Sequence, residues 1–351
     1  MKDCNPNSKF NCSPYIKYLF LLFIAGLAIA SCTQEVRVED DINFDSAILL
    51  IENEYDMEVI DRVNAKSIAS DLFPSGTPTI SSKIDKITKY QDELYFYLES
   101  ENKLKVYDNN NYTFVTEYDF NSYGSIGDIS FPNISNFYVT LPSSNEVLIV
   151  DRINQQISSF LIPVDENPNK LLALGNLLFV GCKNSINVIR TGTKKVENKI
   201  EISGEVLLFS HDLDKNSLLV ITANEGIYSL EYYDVTTLQQ INKVELKSNL
   251  LEEGEELKIN QIAIVTTDLE YSWLATSIGL IRIDLRNLGT YTVISKRKEE
   301  ILNVYYEPVS SNIILLSSRN GLKDYVLSDP QTGEFLKTFP ISDNANYIFP
   351  L

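Results

Sequence analysis

Seven short strand-like phrases recur along the chain: MEVID (Asp61), LKVYD (Asp108), VLIVD (Asp151), INVIR (Arg190), LEYYD (Asp234), LIRID (Asp284) and YVLSD (Asp329). Their ends are 47, 43, 39, 44, 50 and 45 residues apart. A unit of that length built from short strands cannot bury its apolar faces alone, so it must stack on its neighbours. The architecture with this period is the β-propeller. The phrases predict an all-β fold, a seven-bladed β-propeller with four-stranded antiparallel blades over residues 45–351.

The second unit shows the pattern plainly. IDKITKY, LYFYL, LKVYD and YTFVTEYDF are alternating or β-branched runs separated by the turns QDE, ESENK and NNN. The third and fourth units repeat it with FYVTL, VLIVD and QISSFLIP, then LLFVG, the turn CKNS, INVIR and VENKIEI. The first unit is incomplete. Ala47–Ile51 and Met57–Asp61 supply its second and third strands, its fourth is poor near Ala65–Phe73, and no innermost strand precedes Ala47. The other end of the chain carries one strand too many, NYIFPL after LKTFPI. Closure of the ring by the C-terminal strand, paired into the first blade, satisfies both ends and leaves no open edge.

The N-terminus has a different chemistry. Lys2, Lys9 and Lys17 precede the apolar run Tyr18–Ala30, which is too short to span a bilayer and has the layout of a secretory signal. Ile29-Ala30-Ser31-Cys32 resembles the bacterial lipobox, which implies a lipoprotein signal peptide over 1–31 and lipid attachment at Cys32. Residues 32–44 are polar and acidic, with no apolar period, and read as a flexible tether. Removal of the signal takes away three lysines and one aspartate, so the net charge moves from −18 to −20. Such a chain repels nucleic acid and anionic headgroups, so no nucleic-acid partner is expected and the membrane is reached through the lipid. Cys4 and Cys12 leave with the signal and Cys32 carries the lipid, so Cys182 stands alone and the domain has no internal disulfide.

FYVTLPSSNEVLIVDRINQQI (Phe137–Ile157) resembles the YVTN family of β-propellers, with Leu141 where the family phrase ends in Asn. Looser copies cover most of 47–341, and together with the lipobox the chain looks like the surface-lipoprotein propellers of Bacteroidota. The resemblance implies an envelope location, at the outer membrane, with a TonB-dependent transporter as partner. Some members of that group capture cobalamin. Where the group reads Asn-Glu-Gly this chain has Asn53, Glu54 and Tyr55, so the resemblance implies capture or docking without naming a ligand.

Asparagine recurs in the turn between the second and third strands of six units: Asn53, Asn102, Asn145, Asn184, Asn224 and Asn320. In three of them it stands six residues before the end of the phrase, which places these amides around one rim. Amides donate and accept together, and Arg319 adds a cation suited to a carboxylate or phosphate. Connections into the next blade should open on the same face, bringing Tyr123 and Glu252-Glu253 near a shared pocket. Asparagine also tolerates left-handed turns, so the same residues serve hairpins. HDLDKNS (His211–Ser217) begins like a calcium loop but has Ser217 at the glycine position and Ala223 at the final ligand position, so it reads as a turn. With one histidine and no GxSxG, HExxH, Walker or GxGxxG phrase, no catalytic residue, metal site or cofactor is assigned. The single tryptophan, Trp273, reads as core. The expectation is a non-catalytic, lipid-anchored binding module that captures a small molecule or glycan or docks on a transporter. An envelope scaffold and a metal-dependent propeller hydrolase or lactonase are the alternatives.

Overall fold

The computed structural model describes residues 47–351 apart from 71, 213–215, 247–256, 266–270, 286, 288–289, 294–298 and 308–309, and every regular element among them is a strand. The first sheet holds β1 (Ala47–Glu52), β2 (Asp56–Asp61) and β3 (Ser67–Ala69). The second holds β4 (Lys86–Tyr90), β5 (Glu93–Leu98), β6 (Lys103–Asp108) and β7 (Phe114–Asp119). The third holds β8 (Ile129–Ser130), β9 (Asn136–Leu141), β10 (Glu146–Asp151) and β11 (Gln156–Pro163). The fourth runs through β12 (Lys170–Leu174), β13 (Leu177–Arg190), β14 (Lys195–Asp212), β15 (Ser217–Asn224), β16 (Ile227–Asp234) and β17 (Gln240–Leu246). The fifth holds β18 (Ile259–Val265), β19 (Tyr271–Thr276), β20 (Gly279–Asp284) and β21 (Thr290–Val293). The sixth holds β22 (Glu300–Glu307), β23 (Asn312–Arg319), β24 (Leu322–Ser328) and β25 (Phe335–Pro340), and β26 (Ala345–Pro350) follows.

The expectation of seven blades is corrected here: the strands form six hydrogen-bonded sheets, five of four strands and one of six. The phrases INVIR and LEYYD fall in the same sheet, β12–β17. The cause is local. CKNS, expected as a turn, lies within the continuous β13, and β14 runs on through Ser203-Gly204. Glu205 pairs with Lys183 on one side and with Ala223 on the other, so the ladder crosses what the repeat marks as a boundary. Gly204 makes that passage at φ +103°, where an added Cβ would stand 2.2 Å from the Ala223 carbonyl oxygen.

β26 pairs antiparallel with β1, Leu49 with Phe349 and Leu50 with Ile348, which supplies the inner strand that the first sheet lacks. Tyr305 on β22 and Tyr347 on β26 join their hydroxyls at 2.7 Å across the seam between the sixth sheet and the first. The terminal aspartates of the phrases have a common role. Asp61, Asp108, Asp151, Asp234 and Asp329 each accept backbone N–H bonds two or three residues on, the Asx-turn that reverses the chain into the outer strand. Sheets stack face to face, so their middle strands are buried on both sides and read as continuous apolar runs. AILLIE of β1 is buried along its first five residues, whereas FVTEYD of the outer β7 is mostly exposed or half-buried. The core is accordingly divided among the gaps between layers. One cluster joins Leu49 and Val59 to Leu94 and Phe96, another joins Leu148 and Val150 to Tyr95 and Val106, and a further one lies inside the six-stranded sheet around Phe179, Val188, Val206 and Val220.

Candidate functional site

Asn53, Asn102, Asn145 and Asn320 sit where hairpins turn left-handed, and Asn184 takes the same conformation inside β13. Asn53, Asn102, Asn145, Asn184 and Asn320 have φ between 45° and 64°, while at Asn224 the positive φ moves to Glu225 and Gly226. Four of the six amides, those of Asn53, Asn102, Asn145 and Asn184, are engaged within the protein. Asn102 Nδ2 donates to the Gly124 carbonyl at 2.8 Å, Asn145 Oδ1 accepts the Asn167 N–H at 2.9 Å, and Asn184 Oδ1 accepts the Gly204 N–H at 3.0 Å. The Asn102 and Asn145 bonds run from a hairpin turn to the segment entering the next sheet and fasten neighbouring layers, whereas Asn184, inside β13, bonds to Gly204 of β14 within one sheet. Asn53 Nδ2 donates to Asp56 Oδ2 at 3.2 Å, and the Asn53 N–H donates to the Asn344 carbonyl at the ring closure. Arg319 stands 3.7 Å from Glu299, a buried carboxylate, and Tyr123 packs half-buried against the cluster of Tyr95 and Phe137. Cys32 and Glu252-Glu253 lie outside the described residues, as do three residues of HDLDKNS.

Around the centre, no ladder joins one innermost strand to the next among the described residues, and polar side chains bridge the gaps. Lys86 on β4 pairs with Asp128 beside β8. Asp128 in turn accepts the N–H of Leu171 on β12 at 2.8 Å. Asn169 hydrogen-bonds to Glu205 on β14. Further round, Asn260 donates to the Ile301 carbonyl at 2.7 Å, Gln261 accepts the Val304 N–H at 3.1 Å, and Asn303 accepts the Ile348 N–H at 3.2 Å. Burial pulls the Lys86 ammonium below the ordinary lysine range and the like charge of Lys170 adds to the effect. Burial lowers Lys170 too, against the pull of Glu205. Lys86, Asp128, Lys170 and Glu205 thus alternate in sign along β4, the approach to β8, β12 and β14. Charges that compensate one another hold these neighbouring segments together.

The first sheet is different. Its outer strand β3 has three residues and pairs with β2 only at Val59 and Ile60. Elsewhere the residue four before the end of the phrase is covered: Leu104 pairs with Tyr118, Val147 with Ile162 and Tyr325 with Phe339. Met57 occupies that position in β2 and has no outer partner among the described residues. The chain instead leaves β3 through a long connection that returns to the β1–β2 turn, where the Ile84 N–H donates to the Glu54 carbonyl at 2.8 Å. Between the short strand and the connection lies a cleft of about 580 Å³ lined by Glu52, Tyr55, Asp56, Met57, Glu58, Ser70, Phe73, Thr79 and Ile80. That is a volume suited to a ligand of a few residues or a small molecule. Its far wall is firm. Phe73 stacks on Tyr107 with ring centres 4.2 Å apart, and the Tyr107 hydroxyl donates to the Pro78 carbonyl at 2.7 Å.

Three carboxylates and an exposed Tyr55 face this space, and no lysine or arginine among the described residues is ion-paired to Glu52, Asp56 or Glu58. No group of three or more His, Cys, Asp or Glu among the described residues is placed to hold a metal ion, so these carboxylates line the cleft without converging on one point. Of the cleft residues the sequence pattern named Tyr55, at the departure from Asn-Glu-Gly, Met57 and Glu58, in the third strand of the first unit, and Ser70 and Phe73, in its poor fourth strand, and assigned none of them to a site. That weak strand was the available signal.

No family model matches the chain, and no curated protein matches it. Among solved structures it is similar to dihydro-heme d1 dehydrogenase NirN in complex with DHE, at 13% identity over 92% of this chain and 78% of that one, with a TM-score of 0.63. It is also similar to the β-propeller domain of Cps50 (Swd1) from Myceliophteria thermophila, at 15% identity over 85% of this chain and 94% of that one, with a TM-score of 0.59. The fold is a β-propeller. At these identities the likeness reaches the scaffold and stops there, and since one neighbour is named a dehydrogenase, the scaffold alone does not set catalysis aside.

Proposed function

We propose that this chain is a non-catalytic binding module of the cell envelope, lipid-anchored at Cys32 and held off the membrane by the acidic segment 32–44. The observation that carries the binding reading is the cleft beside β2. It is a concave, partly apolar space on a rigid scaffold, with carboxylates that no lysine or arginine among the described residues neutralises, the setting in which ligands are captured. The anchor rests on the lipobox-like Ile29-Ala30-Ser31-Cys32, and the outer-membrane location and a TonB-dependent transporter as partner rest on the resemblance of the repeats. The scaffold alternative has its own support. Ile134 and Ile153 are 59% and 66% exposed, and the Ile134 carbonyl accepts a bond from Arg152, next in sequence to Ile153, so a protein partner could cover that edge.

The test is fractionation of cells of the native host carrying wild-type protein or Cys32→Ala. Wild-type protein is expected in the membrane fraction and the variant in the soluble fraction, with metabolic fatty-acid label on the former alone. Wild-type protein that stays soluble and unlabelled refutes the anchor.

A further inference from the structure

The open edge of β2 and the charge beside it specify a ligand more closely than "a molecule in a cleft". In an antiparallel strand successive residues turn their N–H and C=O to opposite edges. The Ala47 carbonyl accepts the Leu351 N–H, so Ala47 faces β26 and alternate residues of β1 face β2. Ile48, Leu50 and Glu52 therefore bond to Ile60, Glu58 and Asp56, and Asp61, Val59 and Met57 point outward. The Asp61 N–H does so, donating to the Lys66 carbonyl at 2.8 Å, and Val59 meets Ala69. Among the described residues Met57 is the one left over. Its N–H and C=O open on the cleft, a donor and an acceptor waiting for a strand.

Side chains follow the same alternation. Asp56 and Glu58 share one face of β2, with Glu52 cross-strand from Asp56, while Met57 lies on the other face against the cluster containing Phe73 and Ile80. We propose that the cleft takes an extended cationic peptide segment, added to β2 as a strand, with an apolar residue opposite Met57 and a lysine or arginine on each side of it. The apolar side chain falls toward Phe73 and Ile80, and the two cations meet Asp56, Glu58 and Glu52. Carboxylates spread along a strand suit charges at i and i+2 better than a single ion. The chain's own 33–46 is a poor occupant, since Glu35, Glu39, Asp40, Asp41 and Asp45 would meet like charge, and so is a second copy at net charge −18. This inference rests on the binding-module reading and narrows it to strand addition.

The test is calorimetric titration of the full-length protein in detergent with acetyl-Thr-Lys-Leu-Lys-Thr-amide. Its companions are the Glu-Leu-Glu analogue, the analogue N-methylated at leucine, and spermidine. The lysine peptide is expected to bind, the glutamate analogue not to bind, and N-methylation to weaken binding by roughly tenfold or more through loss of the bond to the Met57 carbonyl. Glu52→Gln with Asp56→Asn and Glu58→Gln should weaken it by at least as much, whereas Glu225→Gln with Glu245→Gln, on exposed positions of another sheet, should leave it unchanged. No heat with the lysine peptide at about 1 mM overturns the proposal. Equal binding of the N-methyl analogue or of spermidine overturns strand addition, and equal weakening by the remote pair overturns the site. The N-methyl comparison uses wild-type protein, so it stands even if the triple variant fails to fold. Cysteine-dependent membrane anchoring without peptide binding sinks this inference alone, and the reverse result sinks only the anchor.

Discussion

Ile348→Ala measures whether the C-terminal strand closes the ring as a structural member. Ile348 is fully buried in β26, opposite Leu50, in a cluster with Ile48 and Ile60 of the first sheet and Ile314 and Leu316 of the sixth. Truncation to alanine removes three carbons from a site whose walls are two hydrogen-bonded ladders, and ladders cannot move inward to fill a hole. The loss therefore belongs in the upper part of the range for such truncations, about 4 kcal/mol. For a chain of this size that is a fall in melting temperature of roughly 8 °C. Leu336→Ala is the matched control. Leu336 is 54% exposed on the outer strand β25, and the same change of type should cost about 0.5 kcal/mol or less. Reversible urea unfolding followed by fluorescence of Trp273 gives both numbers, since the single tryptophan is fully buried in β19 and reports on the core. Truncation before Ala345 should also turn β1 into an open edge and raise self-association, seen by sedimentation. If Ile348→Ala falls within about 1 kcal/mol of Leu336→Ala, β26 is not part of the closed core and the closure argument fails.

Gly204→Ala should destabilise by about 2–4 kcal/mol, because φ is +103° and the new methyl group meets the Ala223 carbonyl; a melting temperature equal to wild type would show that β14 passes from one half of its sheet to the other differently. Cys182 is buried and its thiol is pushed up to about 12, first by burial and then by Asp165, so mass spectrometry should find it unmodified by alkylating reagents in native protein and labelled on unfolding; rapid native labelling would contradict its placement. Asp151 and Asp234 are held below the usual carboxylate range chiefly by the N–H donors of Asn154 and Thr237. Their folded pKa values are depressed, so their contribution is present above about pH 4 and lost as pH falls through the lower folded value. Asp234→Asn, which still accepts the turn bonds, should flatten that acid dependence at little cost near neutral pH, and an unchanged acid profile would show that the carboxylate charge is not what the turn uses.

The repeat of short phrases carried the all-β propeller reading because it reflects local chemistry. A strand buried on both faces must be a continuous apolar run, and an aspartate that caps the following turn must sit at its end, as Asp61, Asp108 and Asp151 do. The two incomplete ends were legible for the same reason, since one unit lacks a strand and the other has one to spare. Asn53, Asn102, Asn145 and Asn320 were found at turns, but the bonds of Asn102, Asn145 and Asn184 to Gly124, Asn167 and Gly204 join residues about twenty apart and depend on how successive segments pack.

The sequence by itself therefore determined the strand content, the closing partners and the turns other than CKNS, all of which follow from periodicity within a few residues. The tertiary structure decided the rest. Whether adjacent layers separate or fuse hangs on Glu205 reaching both Lys183 and Ala223, and no local pattern announces a ladder that continues through a glycine at positive φ. The cleft arose from what β3 fails to cover, and an uncovered strand edge becomes visible only when every neighbour that could have covered it is in place.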